Sequence, residues 1–395
     1  MAKEYERENL KKGKGVFNLI GKVKLTDNTF KMNTVYDSGW TDNKMYVGVD
    51  CGNGNIVYAE MSGGFFPDNK GFITAFSKDD KDEDGKSKKL SISWEDRLDE
   101  SWVDMVAPSN VFTVGLERDV KGKTVYKKFL HKYDAVKYLN EALKNDMIVN
   151  IKGKLTYSQY KENVIIKKEI TSIVLSNFEN EEDFRATFSQ SILLDSSSVG
   201  KYNIEKNTIS LDGYVVDYVG SPKIDGNKVE IKKNIAFPVS FEIGMDENKE
   251  KNEMVSKVLF KTKRGNVSRI QVIGNIIESG SVVNVTEDDI TEDVKLMLQL
   301  GMYTNDDVGH TCAIDDSPRE KRFVIIKPDI ERKDNIVSVI CDRDIYKEED
   351  LLFYEQALAE AGIDTADNND DDVENMIDNS QIMGDDLLSM LNMDI

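Results

Sequence analysis

The sequence predicts a mainly β protein of two similar β-barrel units, with a few short helices and a disordered acidic C-terminal tail. Three observations lead there. Apolar residues alternate with period two in runs interrupted by one glycine: 16–25 (VFNLIGKVKL), 147–157 (MIVNIKGKLTY) and 209–218 (ISLDGYVVDY), with 270–277 (IQVIGNII) a looser copy. Such alternation builds a sheet with one buried face, and a glycine inside it marks a bulge or a bend where the sheet closes. Gly21, Gly153, Gly213 and Gly274 are the expected bend points. The pattern recurs in both halves of the chain and not at a short solenoid period. From Asp364 onward there are ten acids and no Lys or Arg, a composition that cannot collapse into a core.

In chain order, residues 1–12 are expected to form an arm. A first β unit spans 13–178 with a long insertion at 62–110, and a second spans 185–335; residues 176–183 supply an acidic link. Within the first unit, residues 45–60 read MYVGVDCGNGNIVYAE. Asn53-Gly54 between two alternating runs is a strong hairpin signal, because both central residues of that turn take positive φ. Residues 79–89 (DDKDEDGKSKK) read as an exposed loop. Helices are few. Residues 133–144 put Val136, Leu139 and Leu143 on one stripe beside Ala135 and Ala142. Residues 289–300 precede Gly301, and 348–361 precede Gly362, both plausible stops. Residues 336–362 form a strand-and-helix segment ahead of the tail at 363–395.

At 395 residues the chain is long enough for two or three domains with real cores. No apolar run approaches about 18 residues and the first residues are polar, so a cytoplasmic protein without membrane span or secretory signal is expected. Cys51, Cys312 and Cys341 are scattered and odd in number, which fits reduced thiols. His310 and Cys312 lack a second ligand pair, so neither a metal nor a cofactor is expected. The net charge of −20 at first argues against a polyanionic partner. Residues 110–175, however, hold 13 Lys and Arg against 7 Asp and Glu, and 255–275 hold five basic residues and no acid. The plainer alternative is that these lysines only solvate strand faces.

Residues 48–55 (GVDCGNGN) resemble the first phosphate loop of actin-like ATPases. The second Asp-x-Gly motif and the later Gly-Gly motif of that family are missing in any workable order. Ile56 and Val57 replace the usual hydroxyl or basic residue, and no α/β alternation surrounds them. The segment is a turn.

Residues 123–175 carry a different resemblance. They read KTVYKKFLHKYDAVKYLNEALKNDMIVNIKGKLTYSQYKENVIIKKEITSIVL: a strand, a helix, a strand with Gly153, an aromatic loop and a closing strand. With 15–25 (GVFNLIGKVKL) as first strand, this resembles the OB-fold of single-stranded DNA-binding proteins, in which a helix plugs the barrel before strand four. The intervening 26–122 is longer than that family needs. In the second half, 209–218, the basic strand around Lys261 and Arg269, and 322–326 support a similar unit. The end of the chain, MGDDLLSMLNMDI, resembles the acidic, apolar-tipped tails by which bacterial and phage members of that family bind partner enzymes. An aliphatic tip replaces their terminal Pro-Phe.

The resemblance implies tandem OB-fold-like barrels and a non-catalytic protein that coats and protects single-stranded DNA during phage replication or recombination. Phosphates would track lysines and bases would stack on rings. Alternation turns Val149, Ile151 and Leu155 inward and Lys152 and Lys154 outward. The loop beyond is expected to supply Tyr157, Tyr160 and Lys161, and the strand one–two loop Trp40. Lys127, Lys128 and Lys132 join them from before the helix, and Lys261, Lys263, Arg264 and Arg269 from the second unit; Phe17 and Phe129 are expected in the core. Asp385, Asp386, Leu387, Leu388, Leu391 and Ile395 would meet a replication or recombination partner. The rival expectation is a β-rich virion or scaffold protein that assembles with its own copies. An acid-cluster nuclease finds no pair of facing carboxylates.

Overall fold

The alternating run at 16–25 becomes strand β1 (Gly15–Lys24). After it come β2 (Phe30–Val35), β3 (Thr41–Asp50), β4 (Ile56–Phe65), β5 (Phe72–Lys81), β6 (Ser87–Ser93), α1 (Glu100–Met105), β7 (Phe112–Arg118), β8 (Thr124–Phe129), α2 (Lys132–Ala142), β9 (Ile148–Tyr160) and β10 (Asn163–Leu175). The computed structural model describes residues 5–363 apart from 69, 83–84, 162, 179, 204–207, 225–226, 245–255, 280–289, 301–319 and 334. The described chain is mainly β, with fifteen strands in one mixed sheet.

In the first half β1 pairs antiparallel with both β3 and β9, β3 with β4, and β9 with β10. β4 then meets β10 in parallel at Glu60 and Glu169. The pairing order β1-β3-β4-β10-β9 therefore returns to β1. Leu19, Val47, Ala59, Ile151 and Ile170 face inward and are buried. Helix α2 lies against β3, β4 and β7, burying the predicted stripe of Ala135, Val136 and Leu139. Fully burying a side chain such as Val136 or Leu139 contributes about 1.5–3 kcal/mol.

The second half repeats this order. Its strands are β11 (Arg185–Leu194), β12 (Val199–Asn203), β13 (Thr208–Val219), β14 (Lys223–Ile224), β15 (Asn227–Lys228), β16 (Lys233–Gly244), β17 (Asn266–Ser279), β18 (Glu320–Pro328), β19 (Ile330–Lys333), β20 (Ile336–Val339) and β21 (Cys341–Lys347). β11 pairs with β13 and β17, β13 with β16, and β17 with β18, while β16 and β18 run parallel. The predicted bend glycines show the shared construction. Gly153 lies opposite Phe17 and Gly274 opposite Phe188. A Cβ on Gly153 would strike the Glu169 carbonyl and the Phe17 ring, and one on Gly274 the Val324 carbonyl and the Phe188 ring. Only glycine lets the strand fold so closely over the ring.

The two halves are joined by antiparallel pairing of β1 with β11, which sets Phe17 opposite Phe188. The 45–60 segment supplies a second joint. Gly52, Asn53 and Gly54 all have positive φ, as the turn requires. Asn55 then donates through Nδ2 to the Ile276 carbonyl (2.9 Å) and accepts through Oδ1 from the Glu278 N–H (2.8 Å). Lys168 of β10 pairs with Glu278 of β17 alongside.

Several expectations need correction. The loop assigned to 79–89 is mostly strand: only its centre is the tip of the β5–β6 hairpin. That hairpin lies inside the insertion and has its own small core of Ala75, Ile92, Val106 and Leu130. Helix α1 was not foreseen either; its Asp99 cap accepts from Ser101 N–H. In the segment expected as an arm, Leu10 is buried against Leu193, Val216, Ala236 and Val267. Strand β21 pairs with β17, and the helix Tyr354–Glu360 buries Ala357 and Leu358. His310, Cys312 and the tail lie outside the described residues.

Candidate functional site

The densest gathering of aromatic rings lies where β4 ends. Its last residues, Ser62-Gly63-Gly64-Phe65, are followed by Phe66. A Cβ on Gly64 would crowd Trp40, and one on Gly63 would strike Lys132 and the Tyr133 N–H. The bare Gly-Gly backbone thus lets both Trp40 and the start of α2 approach β4. Trp40 meets Phe66 edge-on at 5.0 Å. Phe65 packs on Trp94 (4.5 Å) and Tyr133 (5.2 Å), and Trp94 on His131 (5.0 Å).

These rings border a groove of about 460 Å³ that Phe72, Asn110, Phe112, Lys70 and Lys132 also line. Phe66 and Phe72 are exposed, Phe72 by 71%, an unusual position for rings that a free monomer would bury. Lys132 Nζ stands 5.8 Å from the Phe112 ring and 3.0 Å from Glu169. His131 caps α2, its Nδ1 accepting from the Tyr133 N–H at 3.2 Å. Burial, with help from Arg97 and Lys132 and against Asp134, lowers its pKa to about 4. Neutral His131 keeps that acceptor lone pair. Arg97 underpins the site, forking onto Asp134 (2.8 and 3.2 Å) with its guanidinium 4.2 Å from the Trp94 ring. Planar rings beside lysines can stack heterocycles and meet phosphates.

The outer face of β3 and β4 continues from the groove. Tyr46 and Tyr58 stack there at 5.0 Å and 9°, and Gly48 leaves room for the Tyr58 ring. Lys44 Nζ sits 5.2 Å over Tyr36 and 3.6 Å from Asp42.

The residues picked from sequence scatter around this site. Trp40 and Lys132 line the groove. Lys152 and Lys154 do point outward, on the far side of β9, and are exposed, as are Lys128 and Lys161. Tyr160 is half-buried, with Lys161 Nζ 5.9 Å from its ring. Lys127 is held by Glu117 (3.3 Å) and by the Tyr138 ring (4.1 Å).

Tyr157 is a correction. It belongs to β9 and not to a loop, is 6% exposed, and donates its hydroxyl to Gln190 Oε1 (3.0 Å). Burial pushes its phenol pKa far up. Ile151, Gly153, Leu155 and Tyr157, at even spacings beyond Val149, share its inward face, and the strand simply continues to Tyr157.

In the second basic stretch two of the four basic residues picked from sequence meet distant acids. Arg269 is clamped by Asp342 (2.9 and 2.5 Å), and Lys263, its side chain still exposed, pairs with Asp344 (3.1 Å), acids that β21 brings alongside. Counting charge along 255–275 missed acids seventy or more residues away. Lys261 and Arg264 are exposed. Asp385, Asp386, Leu387, Leu388, Leu391 and Ile395 lie outside the described residues.

Phe65, Phe66, Phe72, Trp94, Phe112 and His131 were missed. The signal available in sequence was Gly63-Gly64-Phe65-Phe66, two bare positions followed by two rings. Among the described residues no three His, Cys, Asp or Glu side chains gather as a metal site would, and no helix is long and apolar enough to cross a membrane.

Solved structures that resemble the chain include two of the single-stranded DNA binding protein from Thermus aquaticus. The wild-type structure is 10% identical with a TM-score of 0.28, over 68% of this chain and 87% of that one. A deletion mutant of the same protein gives 10%, 0.28, 68% and 88%. No curated protein matches. The sequence profile of the YorF family matches residues 73–324, more than half of the chain, from within β5 to within β18, and the chain belongs to the YorF family.

Proposed function

We propose that this protein binds single-stranded DNA without catalysis, as a coat for strands exposed in replication or recombination. The observation that carries it is the groove at the end of β4: exposed Phe66 and Phe72, half-buried Trp40, and Lys70 and Lys132 at its edge. The cyclic pairing β1-β3-β4-β10-β9 supports an OB-like barrel, in which β3 and β4 take the places of strands two and three. Oligonucleotides meet OB-folds across that pair and the loops beside it. Trp40 then sits at the end of the strand one–two connection, at the mouth of the groove. Lys128, Lys152, Lys154 and Lys161 are exposed and add to the attraction of the first half for phosphates. The acidic tail would recruit the proteins that act on the coated strand.

The test is a titration of tryptophan fluorescence with poly(dT) and with duplex DNA. Poly(dT) should quench and bind in preference, with a log–log salt slope of about −0.7 per phosphate contacted. Trp40→Ala should cost about 1–3 kcal/mol of binding if the ring stacks on a base. Equal affinity for duplex, or a flat salt response, refutes the proposal. A self-assembling structural protein is favoured instead by the exposed Ile330, Ile336 and Val337 of the β19–β20 ribbon; sedimentation to large assemblies without DNA affinity would establish it.

A further inference from the structure

The β5–β6 hairpin buries one face and leaves the other bare. Ile73, Ala75 and Ile92 turn into the hairpin's own core. On the opposite face Phe72 and Phe76 are exposed by 71% and 46%. Residues i and i+4 of a strand lie on one face about 13 Å apart at ~3.3 Å per residue. Large exposed rings on a short solvent-facing hairpin gain nothing from folding, so this face fits a ligand better than it fits water.

Two observations tie that face to the groove. Phe72 lines the groove itself, so the surface is continuous. Asn110, another groove residue, accepts the Phe76 N–H through its side chain (3.1 Å), and Ala107 N–H donates to the Phe76 carbonyl (2.7 Å). The backbone of β5 at Phe76 is therefore fixed to the groove wall. Exposed Lys89 stands directly across the ladder from Phe76, so the far ring has an ammonium beside it. Beyond this rung Asp79, Asp80 and Asp82 alternate with Lys78, Lys81, Lys86 and Lys88 toward the tip, and neither strand carries a further exposed ring there.

We infer that the hairpin is an extension of the single-strand path: bases leaving the groove stack on Phe72 and then Phe76, with Lys89 meeting a phosphate. This rests on the groove being the single-strand site. It makes the insertion a ledge that lengthens the footprint beyond the barrel.

The experiment compares a short oligo-dT, near the lower end of the about 4–16 nucleotides one OB-fold occupies, with a long one beyond the upper end. Full-length wild type, Trp40→Ala, Phe76→Ala and Lys89→Gln are titrated with each, and each variant's thermal unfolding is recorded. Trp40→Ala should weaken both ligands. Phe76→Ala should weaken only the long one, by about 5- to 150-fold, the effect of losing one stacked base. Lys89→Gln should lower the salt slope for the long ligand alone by about 0.7. The inference is overturned if Phe76→Ala binds the long oligonucleotide as wild type does while Trp40→Ala loses it. It is equally overturned if Phe76→Ala lowers the unfolding temperature and weakens both ligands together, which makes the ring part of the hairpin's core. If wild type binds neither ligand, the groove itself is not a single-strand site and both proposals fall.

Discussion

Replacing Lys168 with Met tests how the halves are held. Lys168 Nζ lies 2.5 Å from Glu278 Oε1, and the two side chains keep only 10% and 8% of their accessible surface. Glu278 Oε2 also accepts the Tyr58 N–H (3.1 Å), and the Glu278 N–H is capped by Asn55. That degree of burial decides the magnitude. An exposed pair would contribute about 0–1 kcal/mol, whereas removing one partner of a buried pair costs about 3–5 kcal/mol, because the other charge is left stranded. Lys168→Met is therefore expected to destabilise by about 3–5 kcal/mol. Adding Glu278→Gln removes the stranded charge, and the new amide oxygen can still accept the Tyr58 N–H. The double variant should recover to within about 1 kcal/mol of wild type, consistent with the near-neutral replacement of whole buried pairs. Urea unfolding of the two singles, the double and wild type yields the cycle. A cost below about 1 kcal/mol for Lys168→Met would show that water reaches the pair. A double variant no better than Lys168→Met would show that the loss is not electrostatic.

Three further outcomes follow from the same geometry. Gly153→Ala and Gly274→Ala each drive a Cβ into a carbonyl and a phenylalanine ring, so each should cost at least about 1–3 kcal/mol in chemical unfolding; a neutral alanine at either site would mean that the strand is not bent there. His131, with its folded pKa of about 4 against an ordinary 6.5, binds fewer protons folded than unfolded between those values. Its contribution to stability is thus complete above pH 6.5 and is lost as pH falls toward 4. Because His131→Asn keeps a capping acceptor that does not titrate, the unfolding free energy of wild type should fall relative to that of the variant as pH drops through that window. Parallel pH profiles would refute it. Tyr157→Phe removes the bond to Gln190 and should cost about 0.5–1.5 kcal/mol of stability with single-strand affinity unchanged; the reverse pattern would return the ring to the binding surface.

Much of the fold was legible in the sequence because strands announce themselves locally. Period-two alternation located β1, β9, β13 and β17 within a few residues, and the glycines inside β9 and β17 marked where those two strands fold over Phe17 and Phe188. The Asn53-Gly54 turn was readable for the same reason: positive φ is a property of a residue and its neighbours. Trp40 and Lys132 were found from their place in the chain order alone. What the sequence by itself determined, then, was the glycine-interrupted strands β1, β9, β13 and β17, helix α2, the Asn53-Gly54 turn and the inward faces of these elements, since these depend on residues a few places apart.

Everything that depends on which strands become neighbours was decided by the tertiary structure. Arg269 looked free until β21 set Asp342 beside it. Tyr157 looked like a loop residue until β9 ran on and the second half covered its ring, leaving its N–H to Asp217 and its hydroxyl to Gln190. The groove itself gathers Trp40, Phe66, Phe72, Trp94 and Phe112 from five separate segments. No window of the sequence contains it, because alternation specifies which way a side chain points but not what stands opposite: that is fixed only when strand pairing brings distant segments within ring-contact distance.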